Sequence, residues 1–340
     1  MPLLKREELI REVVSILGRF GVGDDEASIV ADALVEANLR GVESHGVRLL
    51  PVYVNRIKHG TLRPGLEPKV VSEAPSTALL DGGFGFGQTI GVKAMEMAVR
   101  KAHETGVGVV GVKNINHFGM AAYYALQAIK QGVIGMAFCN TKPHVVAWGG
   151  RMPVLGTNPI CVGVPAGEEM PIVLDMATSA AAWGRVRMAR DRGEEIPRGW
   201  AVDERGRVTT DPAEAMEGGL LPFGGYKGYG LALLVDILSG VLTGAESGPG
   251  VISLWDEEEF PTLGQLFVAL DFNRMGAEGF RGKVDALIRA VKGSPPAEGV
   301  EEILMSGERE FKVRERRLRE GIPIDEGTWK ALKELKRSPT

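Results

Sequence analysis

Residues 81–91 read DGGFGFGQTIG, and the spacing of their glycines decides which fold class to expect. The stretch follows a β-rich run and precedes a helical pattern, as the nucleotide-binding turn of a doubly wound fold does. Gly85 and Gly87 are followed by Gly91, so the pattern is GxGxxxG, one residue longer than that fold uses. The acidic residue expected about 20 positions later would be Glu104, at the end of a helix and not of a second strand. We therefore expect a tight turn beside the functional site, and no pyrophosphate cradle, at this point.

Patterns on either side of this turn divide the chain into three parts. Residues 1–60 carry three amphipathic helical stripes, and a Pro/Gly stretch at 60–65 ends them. From about residue 69, short β-rich runs alternate with glycine-rich turns and helical stretches, and helical patterns return from about residue 277. We therefore predict a mixed α/β (α+β) fold. A helical domain built from both termini (1–68 and 275–340) is expected to accompany a sheet domain (69–274).

Bulk composition excludes several classes of protein. The formal net charge of −4 lacks the basic excess that nucleic-acid binding needs. The longest apolar run, residues 231–245, is too short and too polar to span a membrane, and the charged N-terminus is no signal peptide. Cys139 and Cys161 lie in apolar surroundings without a CxxC partner, which is typical of buried thiols in a reducing compartment. We expect a cytoplasmic protein, and the scarcity of Asn and Gln suggests a thermophilic source.

The segment from Glu43 to Arg48 reads ESHGVR and combines three chemistries. Ser44 stands where the N-cap of the third helix is expected. His45 can move a proton near neutral pH, and Arg48 offers a planar fork of donors that matches a carboxylate. An acid/base group beside a carboxylate clamp suits an enzyme that acts on a small 2-oxo or 2-hydroxy acid. A structural cap and a solvated charge are the alternative interpretation.

Further candidates lie at the ends of predicted strands. His117 leaves a strand and enters a helix N-terminus, a position that favours ligands and a neutral imidazole. Lys227 lies in a glycine-rich loop, GGYKGYG (224–230), before an apolar helix, which suits an anion. Lys142, Thr157 and Asp175 end further strands at what we expect to be one sheet edge. No His, Cys, Asp or Glu cluster has metal-ligand spacing, so no catalytic metal is expected.

These segments together resemble the malate/L-lactate dehydrogenase family that is unrelated to the Rossmann-type enzymes. The family also includes sulfolactate dehydrogenase, ureidoglycolate dehydrogenase and cyclic-imine reductases. The match runs through nearly the whole chain, in the order ESHGVRLLPVYVNRIKHG, DGGFGFGQTIG, NINHFGMAAYYA, GGRMPVLGTNPI, PIVLDMATS, LPFGGYKGYGLALLVDILSGVLTGA and a late SGERE. The resemblance implies a non-Rossmann, mostly antiparallel sheet (69–274) that binds NAD or NADP, and a helical domain (1–68 and 275–340) for substrate binding and dimerisation. It also implies a homodimer with its active site in a cleft between domains.

The resemblance also implies roles for individual residues, carried over by matching motif. Ser44, His45 and Arg48 would form the substrate and acid/base cluster, with His117 as proton acceptor in some members and Thr157 against the substrate. The dinucleotide would contact His117, Phe118, Gly119, Met120, Ala121, Asp175, Met176, Ala177, Lys227, Gly228, Gly307 and Glu308. The chain departs from its relatives at Ala147, where they often carry Pro, and at 264–266, where GQL replaces a common GHF.

The expected reaction is hydride transfer between NAD(P) and a small 2-hydroxy acid or 2-oxo acid, with malate/oxaloacetate first. Lactate and sulfolactate dehydrogenases are close alternatives, followed by reduction of a cyclic imine acid. A second anion on the substrate would need another cation, for which Lys142, Arg185 and Lys227 are candidates. A dinucleotide-binding sensor without catalysis is the alternative from another class. Neither the choice between NAD and NADP nor that between His45 and His117 follows from the residues.

Overall fold

A computed structural model of the chain describes residues 1–252 and 254–337. Its helices are α1 (Arg6–Arg19), α2 (Asp24–Leu39), α3 (Leu50–Lys58), α4 (Gly87–Thr105), α5 (Ala122–Lys130), α6 (Trp183–Arg192), α7 (Pro212–Glu217), α8 (Tyr226–Asp236), α9 (Phe280–Lys292), α10 (Glu308–Glu320) and α11 (Glu326–Arg337). Its strands are β1 (Leu3–Leu4), β2 (Lys69–Glu73), β3 (Thr77–Asp81), β4 (Val107–Lys113), β5 (Ile134–Cys139), β6 (Val145–Val146), β7 (Pro153–Leu155), β8 (Ile160–Val164), β9 (Ile172–Met176), β10 (Ala201–Val202), β11 (Val208–Thr209), β12 (Gly219–Leu220), β13 (Gln265–Leu270) and β14 (Ile322–Pro323).

A seven-stranded sheet forms the centre of the fold, in the order β2-β3-β4-β13-β5-β8-β9. Only its β3–β4 pair is parallel, and the other pairs are antiparallel. This arrangement is not the parallel sheet of a doubly wound fold. The expectation of a mixed α/β fold with a mostly antiparallel sheet is therefore confirmed.

Helices cover both faces of this sheet, and glycines in β4 allow their close approach. A Cβ on Gly108 would lie 1.9 Å from the carbonyl oxygen of Ala98 in α4. A Cβ on Gly111 would lie 2.9 Å from the side chain of Thr243, beyond the π-helical turn Ile237–Val241 that continues α8. Side chains at odd and even positions of a strand point to opposite faces, and Gly108 and Gly111 differ in this way. Helix α4 therefore packs on one face of the sheet, and the end of α8 packs on the other.

The two ends of the chain meet in a second hydrophobic cluster. β1 pairs with β14, and α11 packs against α1 and α3. Leu9, Val13, Leu34 and Leu332 are among the buried residues that fill this cluster. Helix α9 contacts the sheet region instead, where the Asp285 carboxylate accepts the backbone N–H groups of residues 167–169. The domain boundaries near residues 68 and 275 stay a prediction.

A smaller five-stranded sheet, β11-β10-β12-β6-β7, is a feature that the sequence patterns did not predict. Helices α6 and α7 pack with it around their own buried cluster, which includes Val145, Val186 and Leu220. Four of its strands contain only two residues, too few for an alternation of apolar and polar positions to be visible. In the described part of the chain, no helix has the length and apolar character required to cross a membrane.

Candidate active site

The segment that carries Ser44, His45 and Arg48 consists of two short 3₁₀ turns, Glu43–His45 and Val47–Leu49. Helix α3 begins only at Leu50, so the expectation that Ser44 caps it is wrong. The Ser44 hydroxyl instead hydrogen-bonds Nδ1 of His45, at 2.9 Å. The two turns are separated by Gly46, where the chain passes so close to α2 that a Cβ would lie 2.2 Å from Oδ1 of Asn38.

Asn38 of α2 holds the 43–49 segment through a hydrogen bond to its backbone. It is almost fully buried in α2, and its Oδ1 accepts the backbone N–H of Val47 at 2.8 Å. On the other side, Arg317 of α10 pairs with the Glu43 carboxylate at 2.6 Å. The position of the candidate acid/base residues therefore depends on helices from both ends of the chain.

His117 is positioned by the loop that follows β4, which packs directly on the glycine-rich turn. A Cβ on Gly87 would lie 2.3 Å from the carbonyl oxygen of Asn116 and 2.4 Å from that of His117. Asn116 also donates to the carbonyl oxygen of Phe84 at 2.8 Å. The glycines thus admit the backbone of the His117 loop, which agrees with our expectation of a turn beside the site.

The two candidate histidines face each other. The His45 and His117 rings stack with centroids 5.5 Å apart and an interplanar angle of 26°. Behind His117, the hydroxyl of Tyr53 in α3 lies 2.9 Å from Nδ1. Both histidine rings are half-buried. Each has its Nδ1 next to a hydroxyl group, that of Ser44 for His45 and that of Tyr53 for His117.

Desolvation controls the protonation of this pair. It lowers the pKa of His117 to about 3, with a smaller contribution from His45. It likewise lowers the pKa of His45 to about 4, with a smaller contribution from the Arg48 charge. Both imidazoles are therefore neutral near neutral pH, the form in which a histidine accepts a proton.

Arg48 is exposed beside this pair. It forms no ion pair with any residue that the structure describes. Its charge is nevertheless close enough to lower the pKa values of His45 and Asp325. A guanidinium without a protein carboxylate partner is available for the carboxylate of a ligand.

Arg56 connects the histidine loop to a second candidate cation. Its fully buried guanidinium donates to Oδ1 of Asn116 and to the backbone carbonyls of residues 254, 256 and 259. The loop held in this way presents Asp256, whose carboxylate oxygens lie 3.1 and 3.0 Å from Nζ of Lys142. Lys142 is thus already paired. Desolvation is the main cause that lowers the pKa of His144, and the charges of Lys142 and Arg187 lower it further. Arg185 is exposed and is not among these contributing charges.

Most of the residues assigned to the dinucleotide gather along edge strand β9. Asp175 is exposed and accepts the backbone N–H of Ala122 at 2.8 Å, beside the His117 loop. The backbone carbonyl of Thr178, just after β9, accepts the backbone N–H of Phe223 at 3.0 Å. This bond places the loop of residues 224–230 next to the end of β9. Gly307 packs on the same strand, because a Cβ there would lie 2.8 Å from the carbonyl oxygen of Val173. Met176 and Ala177 are half-buried in this group.

The donor groups at this edge fit a dinucleotide. Lys227 lies in the first turn of α8, which begins earlier than expected and includes part of the glycine-rich loop. This exposed ammonium has no ion-pair partner among the described residues, and it stands at a helix N-terminus, where phosphate binds well. The exposed Asp175 carboxylate is of the type that accepts a ribose hydroxyl. Buried Gly228 permits the tight turn, since a Cβ would lie 2.1 Å from the carbonyl oxygen of Phe223.

Several assigned residues present no free side chain. Phe118, Met120 and Ala121 are buried in the main core, so only their backbone could touch a cofactor. The Glu308 carboxylate is buried and bound by Lys292, Lys312 and the backbone N–H of Met305. Although burial opposes this, these partners lower the pKa of Glu308 to about 2. Thr157 is half-buried, and its hydroxyl lies 3.3 Å from that of Thr141.

Comparison with known proteins identifies the family. The family model described as malate/L-lactate dehydrogenase matches residues 4–333. The chain belongs to this family. It is 44% identical to L-sulfolactate dehydrogenase of Methanocaldococcus jannaschii, covering 98% of this chain and 96% of that protein. It is 41% identical to malate dehydrogenase of Pyrococcus abyssi, covering 98% and 94%. The solved structure of the M. jannaschii sulfolactate dehydrogenase superposes with a TM-score of 0.93, over 98% of this chain and 96% of that one.

Membership in this family makes the chain an enzyme that oxidises or reduces a hydroxy acid or its oxo form, with a nicotinamide cofactor. The site contains residues that the sequence patterns did not single out. They are hydrogen-bonding side chains behind the candidate residues, buried in Asn38, Tyr53, Arg56, Gln88 and Asn116 and half-buried in Asp256.

Proposed function

We propose that this enzyme exchanges a hydride between NAD(P) and C2 of a small 2-hydroxy or 2-oxo acid, with malate/oxaloacetate as the first choice. The observation that carries the proposal is the stacked His45–His117 pair beside the guanidinium of Arg48, which has no ion-pair partner among the described residues. A carboxylate bound by Arg48 brings its α-carbon oxygen next to an imidazole. The same features argue against a sensor that has lost catalysis, since the acid/base residues and the clamp are all present.

Each of these side chains has a specific task. Arg48 holds the substrate carboxylate with two parallel N–H donors. His117, neutral because its pKa is low, accepts the hydroxyl proton at Nε2, with Tyr53 behind its Nδ1. Ser44 and His45 form the opposite wall, and the His45 ring excludes water from one face of His117. A positioned acid/base group contributes about 10²–10⁴-fold to the rate.

The cofactor would lie along β9. Lys227 and the N-terminus of α8 suit its phosphates, and Asp175 suits a ribose hydroxyl. When bound, the nicotinamide supplies the hydride acceptor or donor. Glu308 is held by Lys292 and Lys312, so we propose that it shapes this edge without binding the ribose. The residues favour neither NAD nor NADP.

A substrate with a second anionic group suits the charges around Lys142. Lys142 and the neighbouring Arg187 supply positive charge near His144, and only Asp256 neutralises Lys142 among the ion pairs of the described residues. The relatives named malate and sulfolactate dehydrogenase agree with such a substrate. We therefore place oxaloacetate and sulfopyruvate ahead of pyruvate.

We further propose a homodimer that uses the outer face of α8. Leu233, Leu234, Ile237, Val241 and Leu242 follow one another along this helix and its π turn, and each is at least 40% exposed. An apolar stripe of this kind marks an interaction surface. A cytoplasmic location agrees with two buried cysteines that form no disulfide.

The test is a panel of 2-oxo acids against both reduced nicotinamides, followed by the absorbance of the reduced ring. Oxaloacetate, pyruvate, sulfopyruvate and a cyclic imine acid are each offered to wild type and to Arg48→Lys. We expect oxidation with a dicarboxylate or sulfonate acid, and a large rise of KM in the variant. A wild-type protein that binds the reduced nicotinamide but oxidises it with none of these acids would refute the proposal.

A further inference from the structure

A buried hydrogen-bonded chain leads from His117 back into the core. Nε2 of Gln88, the second residue of α4, donates to the Tyr53 hydroxyl at 2.8 Å. That hydroxyl lies 2.9 Å from Nδ1 of His117, which also faces the backbone N–H of Gly119 at 3.3 Å. Gln88 and Tyr53 are both fully buried, so water does not share these bonds.

Half of the Gln88 amide is unused. Its Oε1 is buried and has no hydrogen-bond partner among the described residues. A buried acceptor without a partner costs about 1–3 kcal/mol. Such a cost is tolerated where the unpaired group has a function.

The direction of each bond in this chain follows from counting protons. A phenol has one proton, and burial raises the pKa of Tyr53 well above its ordinary value, so the proton stays on the oxygen. Because the Gln88 amide donates to that oxygen, the Tyr53 O–H donates to Nδ1 of His117. A neutral His117 then carries its proton on Nε2. In this form Nε2 has no lone pair for a substrate proton.

Rotation of the Gln88 amide by half a turn reverses the Gln88–Tyr53 and Tyr53–His117 bonds. Oxygen and nitrogen of the amide exchange places with almost no change in volume. Oε1 then accepts the Tyr53 O–H, the phenol oxygen accepts Nδ1–H of His117, and Nε2 presents its lone pair. Each orientation leaves one amide group unpaired, and the rotated one also removes the Nδ1 acceptor of the long 3.3 Å bond from the Gly119 N–H.

We propose that Gln88 is a positioning residue that selects, through Tyr53, which ring nitrogen of His117 carries the proton. This inference rests on the proposed function, since it concerns the group that we assign to proton transfer. With Nδ1–H bound to Tyr53, Nε2 would take the proton as the substrate O–H bond breaks, and that electron pair would become part of the C=O bond as hydride leaves C2 for the oxidised nicotinamide. The resulting imidazolium is still satisfied, because Nδ1–H keeps its acceptor.

Few titratable groups face His117. Tyr53 approaches from α3, and His45 stacks on it from the first 3₁₀ turn, with the Arg48 charge beyond His45. His45 disfavours the imidazolium of His117. The carboxylate of a Gln88→Glu variant would be a new acceptor for Tyr53 and would favour that imidazolium.

The experiment measures the tautomer of His117 directly, in the full chain without substrate or cofactor. Nitrogen NMR of ¹⁵N-histidine-labelled protein distinguishes the two tautomers, and His117→Asn assigns the signals. We expect Gln88→Met, which keeps the chain length but removes the amide, to hold the proton on Nε2. We expect Gln88→Glu to move it to Nδ1 and to raise the pKa of His117. The same His117 tautomer in wild type and both variants would overturn the proposal.

A matched control and a kinetic measurement complete the test. Gln265 is also fully buried, has an unpaired Oε1 and donates to the carbonyl of Asn116, not to Tyr53. Gln265→Met is therefore expected to leave the His117 tautomer unchanged, and a shift equal to that of Gln88→Met would contradict our assignment. With an active substrate, Gln88→Met should lower kcat about 10- to 100-fold with little change in KM. This loss should disappear in a Tyr53→Phe background. The NMR result needs no turnover, so failure of the proposed function and failure of the relay are distinguishable.

Discussion

Replacing Gly87 by alanine displaces the loop that carries His117. The new Cβ would lie 2.3 and 2.4 Å from the carbonyl oxygens of Asn116 and His117, whereas ordinary contact begins near 3.4 Å. Backbone oxygens cannot rotate away as a side chain can, so the loop must retreat by about 1 Å. A displacement of about 1 Å at a reacting group costs on the order of 10²-fold in rate. We therefore expect kcat of Gly87→Ala to fall about 100-fold.

The assay compares steady-state turnover with direct titration of the reduced nicotinamide by fluorescence. Binding of the cofactor should change little, because its proposed contacts lie along β9 and not on the glycine-rich turn. Gly282→Ala in α9 is the matched control, since a Cβ there meets no atom within 4 Å. The control should keep wild-type turnover and gain slight stability.

Two outcomes would contradict the proposed effect of Gly87 on the position of the His117 loop. Wild-type kcat in a folded Gly87→Ala variant would mean that the loop position does not limit the reaction. Loss of cofactor binding with kcat retained at saturation would mean that the glycine-rich turn holds the pyrophosphate after all.

Four further perturbations test other parts of the account. Arg48→Lys should raise KM for the acid about 10- to 100-fold with a smaller change in kcat, because a bidentate charged bond is lost; equal KM values would remove Arg48 from the clamp. Asp256→Asn frees Lys142, so KM for oxaloacetate should fall relative to that for pyruvate in the same assay; an unchanged ratio would place the second anion elsewhere. Leu234→Glu should convert a dimer to a monomer in light scattering, whereas Leu287→Glu, on an exposed part of α9, should not. Below about pH 6.5 the unfolded chain binds more protons at His45 and His117 than the folded chain does, because folding lowers both pKa values. The free energy of unfolding should therefore fall as the pH drops towards about 4. Each histidine contributes about 1.4 kcal/mol for each unit by which folding lowers its pKa. His117→Asn should flatten this dependence, measured by urea unfolding, and an unchanged slope would contradict the buried neutral pair.

Sequence patterns indicated candidate site residues where chemistry stands out locally, and their roles stay a prediction. The motif of Ser44, His45 and Arg48 was visible as an acid/base group beside a guanidinium. His117 was visible as a polar residue at a strand end before a helix. The off-spaced glycines correctly indicated a close turn, and the structure supplies the reason in the carbonyls of Asn116 and His117. The lean of the composition towards a thermophilic source stays a prediction.

The supporting residues were hidden because their partners are distant in sequence. Tyr53 occupies an apolar helical pattern and so looks like core, although its hydroxyl meets His117, 64 positions later. Arg56 lies in the same pattern, and its buried role depends on carbonyls about 200 positions away. Gln88 lies in the glycine-rich stretch 81–91, where the glycines and not the glutamine form the recognisable pattern. The cap assigned to Ser44 was wrong because Asn38, from another helix, satisfies the backbone of the turn.

The proposed reaction passes hydride between the nicotinamide and C2 of a small acid at the His45–His117 pair. We would incubate the enzyme with the reduced nicotinamide deuterated at both C4 positions and with the best 2-oxo acid from the panel, then analyse the product by mass spectrometry. We expect a 2-hydroxy acid that carries deuterium at C2, formed by wild type and formed about 10²–10⁴-fold more slowly by His117→Asn. Product without deuterium at C2, or equal labelling by wild type and His117→Asn at equal rates, would contradict it.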